Sequence, residues 1–101
     1  MAPLAPGSEV QILSHRQKFL SMYFTYIIES QSSKGYYVGS TQDLTNRIIE
    51  HNSGEGKYTR KGIPWRLLKY FEFESRSEAI LFENKIKKRG IKRFLADFQI
   101  K

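Results

Sequence analysis

The sequence contains no cysteine among its 101 residues. That excludes disulfides and zinc-thiolate sites, and the chain has no need of an oxidising compartment. No stretch approaches the roughly 18 consecutive apolar residues that a membrane-spanning helix requires. The N-terminus also lacks the cationic start and apolar block of a secretory leader. Acidic residues are few: ten stand against seventeen lysines and arginines, for a net charge of +7 and a pI near 9.8. Such an excess points to a polyanionic partner, nucleic acid ahead of an anionic membrane surface. Neither a zinc finger nor a helix-turn-helix is present. Any preference among nucleic acids must therefore come from the small domain itself, from DNA shape, or from a partner protein. The chain is 40% hydrophobic and 14% aromatic, which makes it globular and large enough for one modest core. These features predict a soluble, cytoplasmic, basic domain without membrane association, monomeric or weakly dimeric.

Residues 1–21 open with MAPLAPGSE, a composition that reads as a flexible N-terminal extension. A second methionine, Met22, begins the folded pattern and is a candidate for the true start, with one domain over 22–101. Met22 to Glu29 is rich in β-branched and aromatic residues and reads as a strand. Gln31 to Gly35 is a polar loop, and Tyr36 to Val38 returns as the second strand of a hairpin. A register that sets Ile28 opposite Tyr37 puts Tyr26 and Tyr37 on one face, whereas a one-residue slip separates them. Gly39-Ser40-Thr41 reads as a turn, and Ser40, Thr41 and Asp43 can each cap a helix that starts at about Asp43. Ser53 to Pro64, with its glycines and basic residues, reads as a surface loop, and Leu67 to Phe73 as a third strand. Ser75 and Glu78 fit a capping box for a helix from about Ser77 to Arg89, and Gly90 stands where that helix should end. A short last helix follows from Ile91. The expected class is α+β, a small three-stranded antiparallel sheet flanked by helices.

Two helices carry charge where an apolar face belongs. Leu44, Arg47, Ile48 and His51 fall at i, i+3, i+4 and i+7 and so share one face. Either the arginine and histidine snorkel from the edge of the stripe, or something near the sheet requires a cation there. On the later helix, Glu83 falls inside the arc of Ala79, Phe82 and Ile86. An ionised carboxylate in that position must be paired, hydrogen-bonded or metal-bound. A structural ion pair satisfies the requirement. The coincidence of a carboxylate, an arginine and two tyrosines also supplies what phosphodiester hydrolysis needs: a ligand for a hard cation, a phosphate partner and a group that handles a proton.

These residues resemble a known family. Thr25-Tyr26-Ile27, followed by Tyr37-Val38-Gly39, looks like the two halves of the GIY-YIG nuclease signature. It departs from that signature in Thr25 for glycine and Val38 for isoleucine. The likeness continues through Ser40-Thr41, Asp43-Leu44, Arg47, His51-Asn52 and Lys57-Tyr58-Thr59-Arg60, and closes on Ser77-Glu78-Ala79 and Glu83. Small single-domain members, akin to the nuclease domain at the N-terminus of the excision-repair incision subunit, would be its nearest relatives. The resemblance implies the GIY-YIG fold. It also implies Tyr26, Tyr37, Arg47 and His51 as catalytic residues, with Arg47 facing a phosphate, and Glu83 as the ligand of one Mg²⁺ or Mn²⁺. It further implies cleavage of DNA, with Tyr26 activating the attacking water. A free phenol has a pKa of about 10, so ionising it at pH 7 takes roughly 4 kcal/mol. The proton must then be relayed, or the phenolate must be stabilised by Arg47, the metal or His51.

A second group of cations lies outside the signature. Lys85, Lys87, Lys88, Arg89, Lys92 and Arg93 put six positive charges in nine residues, and Lys57, Arg60 and Lys61 add three in the middle loop. A solvated helix end would accommodate the first cluster. Beside a nuclease signature, contacts to a nucleic-acid backbone from Lys57, Arg60, Lys61, Lys87, Lys88, Arg89, Lys92 and Arg93 are the better reading. Tyr58 is placed to stack on bases, while Trp65 suits the core. The expected function is a metal-dependent DNA endonuclease, structure-specific in repair or recombination. The alternative is a nucleic-acid-binding module that keeps the fold without the chemistry.

Overall fold

The structure is a computed structural model that describes residues 22–99, so the expectation for residues 1–21 lies outside the described residues. Three strands, β1 (Tyr23–Ser30), β2 (Tyr36–Thr41) and β3 (Trp65–Phe73), form one antiparallel sheet in the order β2-β1-β3. Helix α1 (Leu44–Ser53) follows β2, and helices α2 (Arg76–Arg89) and α3 (Ile91–Gln99) follow β3. The architecture is the α+β sandwich that the pattern of the chain predicts. Among the described residues no helix is long and apolar enough to cross a membrane.

β1 is the central strand and is buried on both faces. Its alternation sends Tyr26 and Ile28 to one side and Thr25 and Ile27 to the other. On the first side Tyr26, Ile28 and Trp65 pack with Tyr37 and with Leu44 and Ile48 of α1. On the second side Ile27, Val38 and Ile86 pack with Phe82 of α2 and Phe94 and Leu95 of α3. Ile28 pairs with Tyr37, the register that brings the two tyrosines together, with ring centroids 6.5 Å apart.

The caps are close to those expected. The Asp43 side chain accepts from the Asn46 amide at the start of α1 and Ser75 Oγ accepts from the Glu78 amide at the start of α2. Gly90, at φ 98°, ends α2 where a side chain would be strained, so α3 leaves at an elbow.

Two local readings need correction. Gly39 is not in a turn: β2 runs on to Thr41, and Gly39 pairs with Tyr26 across the sheet. The segment after α1 is not a bare surface loop either. It contains a 3₁₀ turn (Arg60–Gly62) and buries Thr59 and Gly62. Asn52 clamps its far end, donating to the Trp65 carbonyl at 3.0 Å and accepting the Trp65 amide at 2.6 Å, and Trp65 Nε1 donates to the Thr59 carbonyl at 2.6 Å. Local composition reads as exposed; this network, made across the loop, folds it back on α1.

Candidate active site

The inward face of α1 converges on Tyr26. This tyrosine is 0% exposed, and its hydroxyl lies 2.8 Å from His51 Nε2. Arg47 Nε donates to the same oxygen at 3.4 Å. Among the described residues, His51 Nε2 is the one acceptor in reach of the phenol proton. That makes the ring the Nδ1–H tautomer, with Nδ1 donating to Thr59 Oγ1 at 2.9 Å. The result is a chain Arg47–Tyr26–His51–Thr59, ordered from the surface of α1 into the loop behind it.

Burial sets the acid–base character of this chain. It pushes the Tyr26 phenol up to about 12, against the opposing pull of the Arg47 hydrogen bond and charge. It pushes His51 below its usual 6.5, and the neighbouring Arg47 charge pushes it further the same way. At neutral pH the pair is therefore a neutral phenol beside a neutral imidazole. Tyr37, half-buried, closes one side, its ring centroid 5.1 Å from that of His51. A recess of about 180 Å³ opens between Arg47, Glu50, His51, Glu55 and Gly56. Arg47 is held over this recess by Glu50, at 3.1 Å between exposed side chains.

Gly39 is required here for space. A Cβ at that position would stand 2.6 Å from the Tyr26 hydroxyl and 2.9 Å from its ring. Gly39→Ala is accordingly expected to push Tyr26 off His51. Overpacking of this kind destabilises by about 1–3 kcal/mol, which lowers Tm by about 5 °C or more in a domain of this size. A thermal melt and the His51 imidazole resonances in NMR check it; an unchanged Tm and spectrum would show that the tyrosine has room to move.

Glu83 approaches from the other face of the sheet. Thr25 Oγ1 donates to the Ala79 carbonyl at 2.7 Å and so pins α2 one turn before Glu83. Ser40, across from Thr25, donates its hydroxyl to Glu83 Oε1 at 2.9 Å. Lys87 Nζ lies 2.9 Å from Oε2, and that contact raises the Lys87 pKa. Both oxygens of this mostly buried carboxylate thus have partners. Among the described residues no three of His, Asp or Glu converge to form a ready-made metal cage. The donor set nevertheless fits a hard divalent cation: one carboxylate and a hydroxyl are enough when water and substrate phosphate complete the shell. The Lys87 ammonium already shows that the position accepts a cation.

The family model of the GIY-YIG catalytic domain matches positions 22–93, which spans every residue of this site. The chain belongs to the GIY-YIG catalytic domain family. It is therefore a member of a nuclease family. Among its curated relatives, UPF0213 protein YsiG of Lactococcus lactis is 42% identical over 65 residues, covering 63% of this chain and 62% of that protein. A UPF0213 protein of Halobacterium salinarum is 45% identical over 67 residues, covering 65% of this chain and 86% of its own length. The solution structure of a UPF0213 protein from Bacillus halodurans matches with 35% identity and a TM-score of 0.48, over 76% of this chain and 84% of that one.

In this GIY-YIG domain the candidates named from sequence fall into three places. Tyr26, Tyr37, Arg47 and His51 come together on the α1 side, and Glu83 stands at the β2 edge on the α2 side. Lys57, Arg60, Lys61 and the 89%-exposed Tyr58 lie on the loop packed against α1. Lys88, Arg89, Lys92 and Arg93 lie on or beyond the last turn of α2. The two basic groups therefore flank the site from opposite faces of the sheet and do not form one patch.

Lys87 has a second contact that the sequence does not show: it is bonded to Glu83 at 2.9 Å while its side chain stays more than half exposed beside Arg89 and Lys92. Arg89 is also engaged, with Nη2 donating to Asp97 Oδ1 at 3.0 Å and Nε to Oδ2 at 3.2 Å. Ser40, Glu50 and Thr59 join the site only in the folded structure. For Thr59 the sequence does hold a signal, since a histidine turned inward needs a partner for its second nitrogen.

Proposed function

We propose that this domain is a metal-dependent DNA endonuclease that hydrolyses phosphodiester bonds with Tyr26, Tyr37, Arg47, His51 and Glu83 as its working residues. The observation that carries this reading is the 2.8 Å contact between the Tyr26 hydroxyl and His51 Nε2, with Arg47 beside it. A phenol with a pKa of about 12 does not hold a negative charge at pH 7, but it relays a proton well to a neutral imidazole. In this scheme the water proton passes to the Tyr26 oxygen as the phenol proton passes to His51 Nε2. No phenolate persists, and the charge comes to rest on an imidazolium whose Nδ1–H is already bonded to Thr59 Oγ1.

Arg47 has two tasks. Its guanidinium covers a tyrosine that is fully buried, and the side chain is parked on Glu50. A phosphate in the recess competes with Glu50 for the guanidinium, and the move that follows uncovers Tyr26 while bringing charge to the phosphate oxygens. Tyr37 walls the site beside His51 and restricts its water. Glu83 and Ser40 would hold one Mg²⁺ or Mn²⁺, which supplies electrostatic stabilisation to the phosphate and the departing oxygen. The flanking cations Lys57, Arg60, Lys61, Lys88, Lys92 and Arg93 contribute sequence-independent affinity for the backbone. DNA repair or recombination in the cytoplasm is the setting this activity suits.

A second reading, a nucleic-acid-binding module without chemistry, draws on one observation: the Tyr26 hydroxyl has no exposure in the free protein. A nicking assay on supercoiled and branched DNA separates the two. Cleavage with Mg²⁺ or Mn²⁺ that stops on chelation supports the nuclease; binding without cleavage on any of these substrates supports the module.

The pH profile tests the relay. His51 must be neutral to accept the proton, and its pKa lies below 6.5. The single-turnover rate should be lost as pH falls through that lowered value and level off above it. His51→Gln keeps a hydrogen-bonding side chain but takes up no proton, so it should lose this acid limb together with about 10²–10⁴ in rate. An acid limb that persists unchanged in His51→Gln would rule out His51 as the acceptor.

A further inference from the structure

Lys87 belongs to two environments. Its amine is bonded to Glu83 Oε2 at 2.9 Å, yet the side chain is 54% exposed. It also lines a shallow cleft of about 670 Å³ between the hairpin turn and the α2–α3 elbow. Lys34, Arg89, Lys92 and Arg93 complete the rim of that cleft, with Tyr36 in its wall. Lys34 stands apart from the two basic clusters of the sequence. It sits at φ 67° in the turn between β1 and β2, with its amide donating to the Ser30 carbonyl at 3.0 Å. The turn conformation thus carries its side chain to the same cleft as the elbow. Lys34, Lys92 and Arg93 make no ion pair or side-chain hydrogen bond among the described residues. Five cations thus surround one concavity, and three of them have no such partner among the described residues.

We infer that this cleft takes the sugar–phosphate backbone of the nucleic acid on one side of the cleaved bond, and that Lys87 leaves Glu83 to join it. Glu83 Oε2 is then released for a divalent cation. Occupancy of the cleft and cation binding at Glu83 are in this way coupled positively, and Lys87 is the positioning residue between them. The coupling rests on the reading of Glu83 as cation ligand given above; the cleft does not depend on it. In the absence of nucleic acid Lys87 competes with the metal for one oxygen. When phosphates draw Lys87 away that competition ends, so the cation loads where substrate is already seated. By reciprocity, a cation on Glu83 strengthens backbone binding by the same factor.

The size of the effect follows from the exposure of the pair. Ion pairs of this kind contribute up to about 1 kcal/mol, so Lys87→Met should tighten Mn²⁺ binding about two- to fivefold without DNA. Titration of the free-Mn²⁺ electron paramagnetic resonance signal measures this without any cleavage. Lys85→Met removes the same charge from the same helix without removing the ion pair, and it should shift Mn²⁺ affinity far less. Glu83→Gln should abolish the binding.

Lys34→Gly removes one rim cation and suits the positive φ of that position. It should lower the slope of log K against log salt for duplex binding in chelator by about 0.9. The gain in duplex affinity on replacing chelator with Ca²⁺ should be smaller in Lys87→Met than in the parent protein. If Lys87→Met binds Mn²⁺ no tighter, or shows an undiminished Ca²⁺ gain, the coupling is wrong. If Lys34→Gly keeps the parent salt slope, the cleft is not a backbone site. Mn²⁺ binding that survives Glu83→Gln would overturn the cation assignment itself, and the coupling with it. Loss in Glu83→Gln with no change in Lys87→Met removes only the coupling.

Discussion

Glu83→Gln is expected to leave the domain folded and to reduce cation-dependent cleavage by about 10³-fold or more. The amide oxygen of glutamine still accepts from Ser40, so the contact that ties α2 to the β2 edge survives. Lys87, more than half exposed, returns to water when its partner loses charge. An ion pair with so open a partner contributes little to stability, at most about 1 kcal/mol. Tm should therefore move by only a few degrees, while the negative charge that a divalent cation needs is gone. Duplex binding in chelator should persist. Single-turnover nicking with Mg²⁺ beside a thermal melt checks both halves. Normal cleavage by the variant would reduce Glu83 to a structural partner of Ser40 and Lys87.

Arg47→Ala should lower the single-turnover rate by about 10²-fold or more, the scale of losing one preorganised charge stabiliser, with little change in affinity. Its pair with Glu50 is between exposed groups, so stability should hardly change. The Arg47 charge is also one of the causes of the depressed His51 pKa. Removing it should move the acid limb of the rate profile upward, toward 6.5. That displacement reports the nearness of the charge to His51, and the loss of rate reports its role at the phosphate. Arg47→Lys should restore the limb's position more than the rate, because an ammonium keeps the charge and lacks the fork. Replacing Lys88, Lys92 and Arg93 together should do the opposite, weakening binding and flattening its salt dependence by about 0.9 for each phosphate no longer neutralised. Lys87 is excluded from that set because of its bond to Glu83. Equal losses of rate and affinity in both variants would end this division of labour. An intact rate in Arg47→Ala would count against the nuclease reading as a whole.

Much of this protein is legible in its sequence. Strand alternation, the i, i+4 spacing of α1 and the cap residues Asp43 and Ser75 are local, and local periods are written directly in a sequence. The same spacing marks Arg47, His51 and Glu83 as polar or charged groups turned inward, and such groups require a partner. The identity of those partners is not legible. The contacts that complete the site join residues far apart in the chain: Tyr26 to His51 over 25 positions, Ser40 to Glu83 over 43 and Thr25 to Ala79 over 54. They depend on which strand lies beside which and on how each helix docks.

The role of Gly39 illustrates the limit. Glycine followed by serine and threonine has the composition of a turn, and only the packed Tyr26 ring above it shows that the missing Cβ matters for room. Lys87 illustrates it again: on the helix surface it is one lysine among six nearby cations, and only the approach of α2 to the β2 edge distinguishes it from the others. The sequence by itself determined the elements, the faces and the family signature, because those rest on short-range geometry. Tertiary structure alone decided which hydroxyl, imidazole and ammonium meet each charged group, because those pairings form only when sheet and helices close on one another.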